Sequence, residues 1–430
     1  MTSLSHAQAL AEYERQAIEA MNGGRPREAL LAWQRVLELR PDHAAALTQV
    51  GQEAFKGGDF AAARVAFQRA AQADGRDARQ WVNLALACQR LGDDAAEEEA
   101  LFRAAAADPS DLLALFLRGN LYERQGKTHR AAGAYGAAAA VAPAMDRLLP
   151  ELRPAVSHAI EYRDRYQNDL AAAVDGFLEP HLRELDGASL ARFKLSLDIL
   201  LGRKRRFDSQ PMRYFVPGLP AIEFFDREHF PWIEELEAET DAIRDEFLAV
   251  LRADQGFEPY IRYGQDEPVA QWAELNHSPR WSAFHLWKDG QPVSGNVERC
   301  PRTVAAWRKI PSPDQPGRTP VAMYSLLKPR THIPPHVGAS NARLVCHLPL
   351  IVPAGCRFRV GNTVREWAPG RVWVFDDTIE HEAWNDSDEL RVVLIFDTWH
   401  PMIAEPERRM ITAMNEALNH FGSINDVYDV

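Results

Sequence analysis

The stretch His332-Ile-Pro-Pro-His336-Val-Gly338-Ala-Ser-Asn341-Ala-Arg343-Leu-Val-Cys-His347-Leu-Pro-Leu350 decides the architecture of the C-terminal half. His332 and His336 have helical spacing, but Pro334-Pro335 between them removes two backbone donors and argues against a helix. The zinc-protease pattern of two His on one helical turn therefore fails. From Arg343 the chain alternates. Arg343, Val345, His347 and Pro349 fall on one face, and Leu344, Cys346, Leu348 and Leu350 on the other. This period of two predicts a strand over 343–350, and similar runs predict strands over 321–327, 357–360, 371–375 and 390–397. Gly361-Asn362, Pro369-Gly370 and Asp376-Asp377 punctuate them as turns or loops. In 390–397, Arg391, Val393 and Ile395 share a face. Polar residues on one side of an antiparallel sheet need something to face, and a barrel or jelly roll with a ligand-filled mouth provides it.

Upstream of about residue 255 the pattern is helical, and in the first third it repeats. Gly24, Gly58, Gly92 and Gly126 recur every 34 residues, as do the small residues Ala17, Gly51, Ala85 and Gly119. Trp33, Phe67, Leu101 and Tyr135 give one large apolar side chain per unit, and Pro41, Gly75, Pro109 and Pro143 close each unit with a helix breaker. The units run near 12–45, 46–79, 80–113 and 114–147, each a helix, a Gly-containing turn and a helix. The pattern resembles the tetratricopeptide repeat, whose stacked units bury together what one unit leaves exposed. That resemblance implies an all-α solenoid over 1–147, with a concave surface suited to a peptide or protein. Residues 148–209, with Leu149, Leu152, Ala159, Ile160, Leu182, Leu185, Leu190 and Leu195, read as a helical cap and connector.

The whole chain sets outer bounds. Its 430 residues allow two or three domains. A net charge of −12 argues against nucleic acid as a partner. Met1-Thr2-Ser3-Leu4-Ser5-His6 has neither the basic nor the apolar region of a secretory signal, and no apolar run is long enough to span a bilayer. Cys88, Cys300, Cys346 and Cys356 are scattered without zinc-like pairing, so a reducing cytoplasm is the simplest expectation.

Five of the 14 histidines, His332, His336, His347, His381 and His400, lie in the strand-rich part. Non-haem iron oxygenases hold iron with two His and a carboxylate, leaving positions open for co-substrate and oxygen. An Arg about ten residues past the distal His can grip a carboxylate of 2-oxoglutarate through two parallel hydrogen bonds. His336, His381 and Arg391 have that order and spacing. The spacing alone leaves the bland readings open: satisfied histidines, an ion-pairing edge arginine, and a solvated acidic loop of Asp376, Asp377, Glu380 and Glu382.

The wider wording resembles the aspartyl/asparaginyl β-hydroxylase family. It does so in residues 332–350, in Phe375-Asp-Asp-Thr-Ile-Glu-His381-Glu-Ala-Trp384-Asn, and in Arg391 and Trp399-His400-Pro401. Tyr324-Ser325-Leu-Leu-Lys-Pro329 and Phe284-His-Leu-Trp287 fit as well, with weaker likeness at Pro217-Gly-Leu-Pro220 and Phe230-Pro-Trp232. About half the chain is covered. The resemblance implies a double-stranded β-helix (jelly-roll, cupin-like) over 210–430 with flanking helices, using Fe(II), O2 and 2-oxoglutarate to hydroxylate an Asp, Asn or related residue. The substrate would be a peptide, a protein or a carrier-bound molecule, docked by the repeats. By position His336 and His381 would ligate iron. Ser325 and Arg391 would hold one end of 2-oxoglutarate, His347 would lie near the other, and Arg343 would contact co-substrate or a substrate carboxylate.

Two positions bear on substrate and chemistry. Gly338 stands where most iron oxygenases place the carboxylate ligand, a small residue this family shares, and it admits water or a halide. Val345 stands where animal-type members carry another Arg. The competing readings are a non-catalytic repeat scaffold with a degenerate barrel, and a halogenase.

Overall fold

The chain divides into Met1–Gly202 and Arg203–Val430, and the change of period near residue 255 falls inside the second unit, after its first helices. The computed structural model describes residues 6–183, 185, 190–264, 266, 267, 269–315 and 317–421. Residues 1–5 and the end of the expected second domain, 422–430, lie outside the described residues.

In the first unit the helices pair within each repeat: α1 (His6–Asn22) with α2 (Pro26–Leu39), α3 (Ala44–Lys56) with α4 (Phe60–Ala73), α5 (Ala78–Leu91) with α6 (Asp94–Ala107), and α7 (Leu112–Arg124) with α8 (Thr128–Val141). Gly24, Gly58, Gly92 and Gly126 make the turns at positive φ, where a Cβ would be strained. The small residues mark where paired helices touch. A Cβ on Gly51 would lie 2.6 Å from the Phe67 ring, and one on Gly119 2.5 Å from the Tyr135 ring. Asp59, Asp77, Asp93 and Asp111 cap α4 to α7 by accepting from backbone N–H groups of the first turn. α9 (Arg153–Arg183) packs on α8 through Ala131, Tyr135 and Ala159, and α10 (Ala191–Leu200) follows. No helix among the described residues is long and apolar enough to cross a membrane.

The second unit opens with α11 (Ile233–Ala238) and α12 (Thr240–Ala253), has α13 (Pro301–Trp307) between strands, and ends its described part with α14 (Glu405–Phe421). Its strands are β1 (Glu258–Pro259), β2 (Trp281–Lys288), β3 (Gln291–Pro292), β4 (Ala322–Leu327), β5 (Thr331–His336), β6 (Arg343–Ile351), β7 (Cys356–Val360), β8 (Thr363–Glu366), β9 (Trp373–Phe375), β10 (His381–Asn385) and β11 (Arg391–Trp399). They form two antiparallel sheets, ordered β1-β2-β4-β11-β6-β9 (with β3 on β2) and β5-β10-β7-β8. The alternation in β6 and β11 sorts side chains between two cores. Leu344, Cys346, Leu348, Val392, Leu394 and Phe396 pack with Ile243 and Phe247 of α12. Val345 and Val393 face the other way and join Ile333, Phe358 and Val360 of the smaller sheet. Arg391 and His347 belong to this second face, so the polar residues of the large sheet point between the sheets.

The five predicted strands match β4, β6, β7, β9 and β11; the structure adds β1, β2, β3, β5, β8 and β10 to them. β5 contains Pro334-Pro335, which reads against a strand as well as a helix. It is an edge strand, paired among the described residues only with β10, where missing donors are tolerated. The register jumps from Ile333↔Ala383 to His336↔His381, so both prolines oppose Glu382 in a bulge. That bulge sets the two histidines side by side.

Candidate active site

His336 ends β5 and His381 begins β10, with ring centroids 4.0 Å apart. Each ring is oriented by its own chain. The Nδ1–H of His336 donates to the Pro334 carbonyl at 2.8 Å, and that of His381 to the Ile379 carbonyl at 3.0 Å. A carbonyl can only accept, so the proton of each neutral ring sits on Nδ1 and each Nε2 keeps a lone pair, the arrangement of a metal-ligating imidazole. Burial is the main reason both rings stay neutral, pulling His336 down to about 3 and His381 to about 4; for His336 the adjacent His381 adds to it. Among the described residues no group of three His, Cys, Asp or Glu side chains converges. The pair by itself suits a divalent transition ion that keeps other positions open.

Aromatic rings surround the pair. Trp272 and Trp281 lie 5.2 and 6.3 Å from His336, and Phe375 and Phe358 lie 5.6 and 5.8 Å from His381. The same two Phe rings touch His347, at 4.8 and 5.1 Å. His347 Nδ1 accepts from the Trp367 indole at 3.3 Å, so its proton is on Nε2 and available to donate. Burial, then the charge of Arg391, hold His347 well below its ordinary value. Ser325, fully buried on β4, accepts from the Trp281 indole at 3.2 Å, leaving its hydroxyl proton to donate.

Arg391 is the polar group least satisfied by its surroundings. It is 2% exposed, its guanidinium lies 5.1 Å over the Trp367 ring, and its Nε and Nη1 have no hydrogen-bond partner among the described residues. Burial pulls its pKa down to about 10. A buried cation with free donors costs several kcal/mol unless an anion meets it.

At Arg343, on the same unit, the charge balance reverses. Arg343 spans Asp377 at 3.0 Å and Asp397 at 3.2 Å. Burial works against the Arg343 charge, but the two carboxylates together hold the guanidinium above its ordinary value. Burial raises Asp377 and lifts Asp397 to about 6 in spite of Arg343. The Asp377 carboxylate also fills the space beside Gly338: a Cβ there would lie 2.0 Å from its Oδ2, while Oδ1 is buried without a hydrogen-bond partner among the described residues. The solvated-loop reading of residues 376–382 is thus corrected, since Asp376, Asp377 and Glu382 are buried. Glu382 is held by Arg359 and by His332 at 2.8 Å. Nothing local marks Asp377 as buried; the signal was Arg343, 34 residues upstream, sharing a strand face with His347. Trp281 was missed because its strand was missed.

The structure therefore links the His336–His381 pair to Ser325 through Trp281, and to His347 and Arg391 through the Phe358, Phe375 and Trp367 rings, and turns Arg343 onto two aspartates. Residues 237–401 match the family model for aspartyl/asparaginyl beta-hydroxylase, and residues 14–51 and 48–111 match a tetratricopeptide repeat model. Human aspartyl/asparaginyl beta-hydroxylase is 35% identical over 221 residues, covering 50% of this chain and 28% of that protein. The ornithine lipid ester-linked acyl 2-hydroxylase of Rhizobium tropici is 36% identical over 198 residues, covering 45% and 66%. Human aspartate beta-hydroxylase domain-containing protein 2 is 32% identical over 207 residues, covering 47% and 54%. The chain thus spans little more than a quarter of the first of these and between half and two thirds of the others. Behind its tetratricopeptide repeats, this chain carries a domain of the aspartyl/asparaginyl β-hydroxylase family.

Proposed function

We propose that the Arg203–Val430 unit is an Fe(II)- and 2-oxoglutarate-dependent hydroxylase. The observation that carries this reading is Arg391: a buried guanidinium with two N–H groups unpartnered among the described residues, joined to the His336–His381 pair through Trp367, His347 and the Phe358 and Phe375 rings. The far carboxylate of 2-oxoglutarate fits it, with the Ser325 hydroxyl as a further donor and the Nε2–H of His347 for the co-substrate's other polar groups. His336 and His381 would hold the iron through Nε2. When bound, iron with 2-oxoglutarate and O2 supplies oxidation of an unactivated C–H bond. The strand orders β4-β11-β6-β9 and β5-β10-β7-β8 support reading the unit as a double-stranded β-helix.

Asp377 stands beside Gly338 as an acceptor, able to orient a water in the position where other oxygenases place a carboxylate ligand. A carboxylate there repels halide, so hydroxylation is favoured over halogenation. The relatives' names point to Asp or Asn residues, and that of the R. tropici protein to a lipid-linked acyl chain; a peptide, protein or carrier-bound substrate recruited by the repeats is our reading. The four buried, unpaired cysteines suit work in a reducing cytoplasm.

The test is turnover by the full chain with Fe(II), 2-oxoglutarate and O2, read as succinate release. Parent protein should release succinate, and His336→Ala and His381→Ala should not, while their circular dichroism stays that of the parent. Equal succinate release by parent and both variants would overturn the assignment.

A further inference from the structure

Beside the His336–His381 pair the second unit collects more negative charge than it neutralises. Arg343 spans Asp377 at 3.0 Å and Asp397 at 3.2 Å, so its guanidinium already has two counter-charges and offers a substrate carboxylate little. Asp376 is buried as well and feels the charges of both Asp377 and Arg343. Three carboxylates thus share one guanidinium. Two of them are tied by backbone donors: Asp376 accepts from the Thr378 N–H at 2.9 Å, and Asp397 from the Val321 N–H at 3.2 Å. Asp377 is left over. It is 5% exposed, and its Oδ1 has no hydrogen-bond partner among the described residues. That oxygen is aimed at the space beside Gly338, since a Cβ on the glycine would lie 2.6 Å from it, two residues past His336. An ionised carboxylate accepts at about four positions, so Asp377 can hold a water there and still present its charge to another group.

Aromatic rings also flank His336. The Trp272 ring lies 5.2 Å and the Trp281 ring 6.3 Å from it, and Tyr260 stacks on Trp281 at 4.1 Å. The stack is fixed where β1 meets β2, with the Tyr260 N–H donating to the Trp281 carbonyl at 3.0 Å. Trp272 is half-buried and Tyr260 is 39% exposed, so both keep surface for an incoming group. The Tyr260 phenol lies in the field of Arg343, Asp377 and Asp397, which joins the aromatic side to the acidic one. Ring faces attract cations through their quadrupole, and buried carboxylates attract them by charge. Both repel a carboxylate.

We infer that the substrate end of this site takes an aliphatic cation, the ammonium or guanidinium of a basic residue or of a free amine, and rejects an Asp carboxylate. What is then done to that group rests on the hydroxylase reading, whereas its binding does not. A neutral apolar substrate would account for the rings and leave the surplus carboxylates without a role. The charge of a bound divalent metal does not cancel that surplus, because the two carboxylates of 2-oxoglutarate offset it.

Blocked pentapeptides of four glycines around a central Lys, Arg, norleucine or Asp are titrated against the full chain by saturation-transfer NMR. One series contains Zn(II) and 2-oxoglutarate, and a second contains neither. Norleucine matches the lysine stem without its charge. The Lys and Arg peptides should bind roughly ten- to a hundredfold tighter than the norleucine peptide, and the Asp peptide should bind most weakly when 2-oxoglutarate is present. Asp377→Asn should remove most of the Lys preference and raise affinity for the Asp peptide. Asp397→Asn should move both in the same direction, and serves where Asp377→Asn does not fold. Tyr260→Leu should weaken the Lys and Arg peptides several-fold and leave the norleucine peptide little changed. Titration of n-butylammonium against n-butanol separates the sources. A preference for the amine there marks the cation alone as what is read, and a preference confined to the peptides marks a basic residue. Norleucine binding as tightly as Lys, Asp binding tightest with 2-oxoglutarate present, or a Lys preference unmoved in both Asp→Asn variants would overturn the inference. A Lys preference in a protein that releases no succinate would leave the cation site standing and remove the proposed chemistry.

Discussion

Arg391 and Arg343 are both cations of the same unit turned away from solvent, and they differ in what they face. Arg343 meets two carboxylates, Asp377 and Asp397, both buried. Arg391 meets an aromatic ring and leaves two donors unsatisfied. The first place supplies its own counter-charge and holds together without a ligand. The second bears an electrostatic cost in the free protein, which a bound anion would relieve. Incompleteness, more than burial, marks a binding group.

The comparison makes its largest prediction at the complete end. Arg343→Met leaves Asp377 and Asp397 buried beside each other without a cation, and breaking such a pair costs about 3–5 kcal/mol. Nine of the eleven tryptophans lie in the second unit, so denaturation followed by tryptophan fluorescence reports mainly on it. Arg343→Met should unfold at clearly lower denaturant than the parent. The same midpoint in both would mean that the ion cluster does not stabilise this wall.

How much of this was legible in the sequence depended on the range of the interaction. The repeats were written in the chain at a fixed period, because each turn needs its glycine and each helix pair its small residue, as Gly51 against Phe67 shows. The faces of β6 and β11 were legible for a similar reason: period two is local. β5 was not, since Pro334-Pro335 is acceptable only on an edge strand, and edge position is a property of the whole sheet. His336, His381 and Arg391 stood out by wording and spacing. The burial of Asp377 and the orphaned donors of Arg391 did not, because both follow from which side chains the fold brings opposite.

At the incomplete end the effect moves from stability to affinity. Arg391→Met removes a buried, half-satisfied cation and puts an unbranched apolar side chain against Trp367. The free protein should be no less stable, and replacing poorly compensated buried charge by apolar volume can be stabilising. Binding of 2-oxoglutarate should weaken by about 2–5 kcal/mol, or roughly 30- to several-thousand-fold. Isothermal titration with a redox-inert divalent metal in place of iron would measure it. Unchanged affinity would show that the co-substrate carboxylate lies elsewhere, and a large loss of stability would show that Arg391 has a partner after all.

The smallest prediction tests the junction between the ion cluster and the histidine pair, where Gly338 leaves room for the Asp377 carboxylate. A Cβ on Gly338 would meet Asp377 Oδ2 at 2.0 Å, so Gly338→Ala must push the carboxylate aside. An exposed aspartate would swing away at little cost. This one is buried and tied to Arg343, so moving it strains an ion pair as well as the packing. Overpacking of this kind costs about 1–3 kcal/mol. In an Asp377→Ala background the obstacle is gone and Arg343 keeps Asp397 as its counter-charge. The same glycine substitution should then cost little, and the double-mutant cycle should show a coupling of about 0.5–3 kcal/mol between the two positions. If Gly338→Ala costs the same with and without Asp377, the glycine is required for some feature of the β5–β6 loop itself, and the acidic wall does not reach the place beside the histidines.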